Sequence, residues 1–118
     1  MTDMRRASTA MRLRSWSGRT TPAGARNYLV HFRRRVLPAL RRLPGHRGAL
    51  VLRRRQAAEV EVTVLTFWRS LAAVRAFAGR DVARAVVEPE ARAALRRFDR
   101  RVSHFEVLLD SRRSKGGR

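Results

Sequence analysis

The sequence predicts an α+β fold of the ferredoxin-like, split βαβ type. This is an antiparallel sheet with helices on one face, and two such sheets paired face to face would make a closed dimer with a mixed, pocket-like interior. Three observations predict it. Helical patterns follow the first and third strand-like runs while a hairpin joins the second and third, giving the order β-α-β-β-α-(α)-β. The run Val60–Gly79 (VEVTVLTFWRSLAAVRAFAG) reads as one strand feeding directly into one helix. Both faces of that strand are apolar at its C-terminal end, because Leu65 and Phe67 lie opposite Val62 and Val64. Helices cover one face only, so a second copy of the chain is expected on the other.

Each element has its own signal. Met11–Gly18 (MRLRSWSG) is a first strand, with Met11, Leu13 and Ser15 on one face and Arg12, Arg14 and Trp16 on the other. Thr21-Pro22 supplies an N-cap and a first-turn proline. From there Ala25, Tyr28, Leu29, Phe32, Val36, Leu40 and Leu43 form a stripe at helical spacing, a long helix that Pro38 should kink and Pro44-Gly45 should end. Arg47–Arg54 is the second strand, and Arg55–Ala58 its hairpin turn, without an Asn-Gly or Asp-Gly signature. In the third unit Val60, Val62 and Val64 alternate, Ser70 caps the helix, Leu71, Val74, Phe77 and Ala78 recur along it, and Gly79 stops it. Asp81–Val87 reads as a short helical turn and Glu88–Phe98 as a helix with acids first and arginines last. Arg101–Leu109 is the fourth strand, with Val102, His104 and Glu106 on one face.

The chain has 118 residues, room for one domain with a modest core. That domain is read as residues 11–109, between a disordered basic lead (1–10) and a disordered basic tail (110–118). The absence of cysteine excludes a disulfide scaffold or thiolate metal site. No apolar run reaches the roughly 20 residues of a membrane helix, and no secretion signal is seen, so a cytoplasmic location without membrane contact is expected.

Net charge is +19, and all 28 basic residues except Lys115 are arginine. So basic a surface attracts phosphate backbones. The stretch Arg53-Arg54-Arg55 lacks interleaved aromatics, however, so single-strand stacking has no platform there. Nucleic-acid binding is expected to be at most weak and nonspecific.

The face carrying Arg14, Trp16, His104 and Glu106 is read as the one away from the helices, a mixed surface that pairs with its counterpart to enclose a pocket. His104 is the candidate general base and Glu106, two residues on, the carboxylate that orients it. Arg14, Trp16, Trp68 and Phe67 are the candidate pocket walls. Tyr28 is assigned to core packing, and His31 and His46 to the exposed surface. Glu59/Glu61 and Glu88/Glu90 are paired acids without a His at ligand spacing, so no metal site is expected.

The segments RSWSG (14–18), LPALRRLPGHRGALVLRR (37–54), FWRSLAAVRAFAG (67–79) and FDRRVSHFEV (98–107) resemble the antibiotic biosynthesis monooxygenase (ABM) family, from about Met11 to Val107. The resemblance implies a small homodimeric α+β barrel and oxygenase chemistry without metal or flavin. A polyphenol or anthrone is deprotonated to a carbanion that reduces oxygen directly. Characterised members place an Asn about four residues ahead of the Trp that matches Trp68; Val64 stands there in this chain. A haem-degrading branch adds a His about ten residues after that Trp, near Ala78 here, and Val74–Gly79 contains none. Two readings follow. One is a cofactor-independent monooxygenase acting on a small aromatic or polyketide-like substrate. The other is a non-enzymatic dimeric barrel, a binding or stress-associated protein. A barrel interior of roughly a few hundred cubic ångströms bounded by Trp16, Trp68 and His104 would favour the first, and a filled interior the second.

Overall fold

A computed structural model describes residues 10–112; the expected lead, apart from Ala10, and residues 113–118 of the tail lie outside it. Strand β1 (Arg12–Thr20) runs through the middle of a five-stranded antiparallel sheet. It pairs on one side with β3 (Glu59–Trp68), which pairs in turn with β2 (His46–Gln56). On its other side β1 pairs with two short strands, β4 (Arg97–Phe98) and β5 (Ser103–Glu106). The expected fourth strand, Arg101–Leu109, shortens to Ser103–Glu106, and Arg97–Phe98 is an additional strand that the sequence reading placed in a helix. The helix predicted over Glu88–Phe98 contracts to Pro89–Ala94, because Leu95 leaves the helical region and Arg97–Phe98 joins the sheet against Gly18 and Arg19. Asp81–Val87 makes only a turn at Val82–Ala83, after which Arg84 bridges to Arg101.

The long helix forms in three parts. Thr21 caps α1 (Pro22–His31) by accepting a hydrogen bond from the Gly24 amide at 3.0 Å, with Pro22 in the first turn. A π-helical turn (Phe32–Val36) follows, and then α2 (Leu37–Arg41). The wide turn sits just before Pro38, and the Leu37 amide reaches back to the Phe32 carbonyl. An extra residue per turn takes up the bond that proline cannot donate, so the chain stays helical. The β2–β3 hairpin turns at Ala57-Ala58, where Ala57 adopts φ 53°. A β-carbon makes that left-handed conformation costly. Ser70 caps α3 (Leu71–Ala78) through the Ala73 amide, and Gly79, at φ 89°, ends it.

Trp68, Val74, Leu40 and Val62 are fully buried between sheet and helices, each contributing about 1.5–3 kcal/mol or more. The even-numbered positions of β1 and β3 point into this layer. Arg14, Trp16, His104 and Glu106 do share one face, but the structure reverses its orientation: it is the face the helices cover. The sequence places these four together through a period of two, which cannot say which side receives the helices. The open face carries Leu13, Leu50, Leu52, Leu65, Phe67 and Phe105 with Ser15, Ser17 and Thr63, as the registers Leu13↔Phe67, Leu50↔Leu65 and Leu13↔Phe105 require. No helix among the described residues is long and apolar enough to cross a membrane.

Candidate active site

A cavity of about 120 Å³ lies between the sheet and the α1–α2 layer. Strand β1 puts Arg14 and Trp16 on its wall, and β3 puts Val64 and Thr66 beside them. One face of α1 and the π turn adds Tyr28, His31 and Phe32, spaced three and four residues apart. Phe77 of α3 and the 86–88 segment complete it. The aromatic wall is continuous: the Tyr28 ring lies 6.0 Å from Trp16 and 6.3 Å from Phe32. Trp16 is held in place by donating to the Asp99 carbonyl at 2.7 Å.

Arg14 is the most unusual group here. It is 4% exposed. Its guanidinium donates to the Val82 carbonyl and, at 3.1 Å, to the Arg84 carbonyl, and it sits 5.4 Å over the Phe77 ring. Burial pushes its pKa down to about 10, still cationic at neutral pH. Across the wall, burial and the charge of Glu88 raise the Tyr28 hydroxyl, which therefore stays protonated and can donate. Thr66 accepts from Trp68 Nε1 at 2.9 Å, leaving its own hydroxyl hydrogen to donate.

His31 is 8% exposed rather than at the surface. Its Nε2 faces Glu88 at 3.2 Å and its Nδ1 faces Glu90 at 3.4 Å. Glu88 lines the cavity, whereas Glu90 and His31 line a second, outer cleft with Asn27 and Arg34. The imidazole thus stands between the chamber and the outside. The three side chains have metal-ligand chemistry, with donor atoms within 4.8 Å of one another. Their arrangement fits an ion poorly, because the two carboxylates address opposite ring nitrogens and one ion can take only one of those.

Of the sequence-predicted residues, Arg14 and Trp16 line the cavity, and Val64 stands in its wall at the position where the resemblance expects Asn. Trp68 is wholly buried behind it, stacked on Phe77 at 5.1 Å. Phe67 lies on the open face, under the Arg112 guanidinium at 4.1 Å. His104 and Glu106 are not on the wall. His104 Nε2 lies 2.6 Å from the Val82 carbonyl, so that nitrogen carries the hydrogen and donates it; Glu106 pairs with Arg12 at 3.6 Å. The sequence reading missed His31, Glu88 and Thr66. His31 was findable: three residues after Tyr28 and one before Phe32, it belongs to the buried stripe. Thr66 was findable too, since the strand period of two puts it on the same face as Val64 and Trp68; Glu88 carries no such signal.

A model of the family described as antibiotic biosynthesis monooxygenase matches residues 19–89. No curated protein sequence matches the chain. Among solved structures, SnoaB of Streptomyces nogalater, a cofactor-independent oxygenase, superposes with a TM-score of 0.54 at 19% identity, covering 87% of this chain and 97% of its own. The haem-degrading protein MhuD of Mycobacterium tuberculosis, with two haems in its active site, gives 0.54 at 27% identity over 83% and 97%. The Streptomyces coelicolor monooxygenase encoded by ActVA-Orf6, in complex with nanaomycin D, gives 0.54 at 16% over 88% and 95%.

Proposed function

Since the chain belongs to the antibiotic biosynthesis monooxygenase family, we propose that it is a cofactor-independent monooxygenase acting on a small aromatic or polyketide-like substrate. The chamber between sheet and helices is the site. The observation that carries this reading is one aromatic-walled cavity bounded by a buried cation, Arg14, and a carboxylate, Glu88, backed by His31. The chemistry needs those parts. A phenol or an activated CH₂ must lose a proton, and the resulting anion must be held away from water while it meets oxygen. Glu88 takes the proton, and His31 behind it relays the charge change toward Glu90. Arg14 stabilises the oxygen on which negative charge develops. The anion then reduces oxygen and forms the C–O bond of a peroxide anion, which takes the proton back from Glu88. The hydroperoxide loses water as its O–O bond and the remaining C–H bond break and the carbon becomes a carbonyl. His104 takes the role of a positioning residue.

Two of the structural neighbours are oxygenases, which supports the reading. Ala78, near where the haem-degrading branch carries a His, is buried and offers no ligand. In this conformation the cavity has room for about one aromatic ring, close to the roughly 150 Å³ that holds benzene elsewhere. A larger substrate requires the 81–88 segment to move outward. The second copy expected on the open face makes the active form a homodimer. The arginine surface adds only weak, salt-sensitive attraction to nucleic acid.

Oxygen uptake with anthrone-type and simpler phenolic substrates, without added metal or flavin, is the test. Glu88→Gln should lower turnover by about a hundredfold, the usual scale for a lost general base. No uptake by the wild type across such substrates would end the enzyme reading.

A further inference from the structure

Among the described residues, the ion-pair pattern leaves one buried cation, Arg14, without an acidic partner. The chain has nine acidic residues, of which Asp3 lies outside the described residues. Each of the other eight has an arginine or His31 within 3.6 Å, and none of these partners is Arg14. Two of the five N–H donors of Arg14 are occupied by backbone carbonyls, which orient the group without neutralising it. His104, 3.4 Å away, brings no negative charge. A buried charge without a counter-ion is costly, by several kcal/mol in general. Here that charge borders an aromatic cavity of single-ring size.

We propose that the chamber binds an aromatic monoanion, a one-ring carboxylate or phenolate, whose charged oxygen pairs with Arg14 while its ring lies among Trp16, Tyr28, Phe32 and Phe77. This rests on the chamber being the ligand site, as above, and not on the oxygenase reaction. The ligand's oxygen supplies the missing counter-charge inside a low-dielectric wall, where a charge-assisted hydrogen bond is strongest. The ring replaces cavity with aromatic contact. Thr66 and Tyr28 each have a hydroxyl hydrogen to offer a second acceptor. The same geometry rejects two near relatives: a neutral amide leaves Arg14 uncompensated, and a small aliphatic acid leaves the aromatic wall unfilled.

The full chain is titrated with benzoate, benzamide and acetate by calorimetry, with melting temperature as a second readout. Saturable benzoate binding is expected, at least about tenfold tighter than either benzamide or acetate. With 4-nitrophenol, the absorbance of the bound dye should report the phenolate at a pH where the free dye is largely phenol. Arg14→Met should weaken benzoate by about tenfold or more and abolish the dye shift. Benzamide binding as well as benzoate, acetate binding as well as benzoate, or no binding of benzoate would each overturn the inference, and the wild-type comparison decides this whether or not the variant folds. Benzoate retained by a folded Arg14→Met would overturn it too, exposing attachment to the outer arginines. Benzoate binding by a protein that consumes no oxygen would leave this inference standing and end the oxygenase reading alone.

Discussion

Arg14 and His104 face each other across the β1–β5 ladder and both donate to one acceptor, the Val82 carbonyl. Through that oxygen the sheet fixes the turn that begins the 81–88 segment, and so fixes one wall of the chamber. His104→Ala removes one of two donors and leaves no carbonyl orphaned. A loss of about 1 kcal/mol in denaturant unfolding is expected. Turnover should change by less than about tenfold, with the larger effect on KM, because a loosened wall weakens binding more than chemistry. A drop in kcat of about a hundredfold with KM unchanged would instead mark His104 as the base.

The open sheet face predicts the homodimer. Leu50, Leu52 and Phe105 are 42%, 45% and 53% exposed, with Leu65 and Leu13 between them. A contiguous apolar patch of this kind marks an interaction surface. The wild type should sediment at twice the 13.5 kDa chain mass. The double variant Leu50→Asp/Leu52→Asp should sediment as a single chain. A wild type that runs as a folded monomer at micromolar concentration removes the barrel.

How much of this was legible in the sequence differs from element to element. The strand–helix unit from Val60 to Gly79 was legible throughout, because alternation, cap, stripe and stop agree along one stretch. The termini of the last helix were not. Leu95–Phe98 continues a helical pattern, and only pairing of Arg97 and Phe98 with β1, nearly eighty residues earlier, pulls it into the sheet. Arg14 and Trp16 were placed on the correct wall for the wrong side of the sheet. Glu88 and His31 meet because α1 packs beside α4 (Pro89–Ala94), a contact no local spacing encodes.

Gly24 marks that same contact. A β-carbon there would lie 1.9 Å from Thr20 Oγ1 and 2.5 Å from the Ala94 carbonyl, two atoms already joined by a 2.7 Å hydrogen bond. Gly24→Ala should therefore destabilise by about 1–3 kcal/mol, although alanine is the better helix former by about 1 kcal/mol. Denaturant unfolding checks it. A stabilised variant would mean that α1 and α4 do not approach this closely. Because His31 follows on α1 and Glu88 stands at the N-terminal boundary of α4, the variant should also weaken ligand binding.

His46 gives the fold a pH dependence of defined sign. Its ring meets Trp68 edge-on at 5.3 Å, and its Nδ1 is buried without a hydrogen-bond partner among the described residues. Burial, and then the positive charge of Arg41, lower its pKa from the ordinary 6.5. The folded state therefore holds the neutral ring, while the unfolded chain takes up a proton once pH falls below about 6.5. Above that pH both states are neutral and the residue contributes no slope. Below it the unfolded state binds more protons, so stability falls with falling pH until the folded pKa is reached and is level thereafter. His46→Phe keeps an aromatic ring against Trp68 and removes the titration. The two proteins should show parallel stabilities above about pH 7 and diverge toward about pH 5.5, the wild type losing more. Parallel curves through that whole window would show that His46 takes its proton as readily folded as unfolded, and that its ring is not closed off between Trp68 and Arg41.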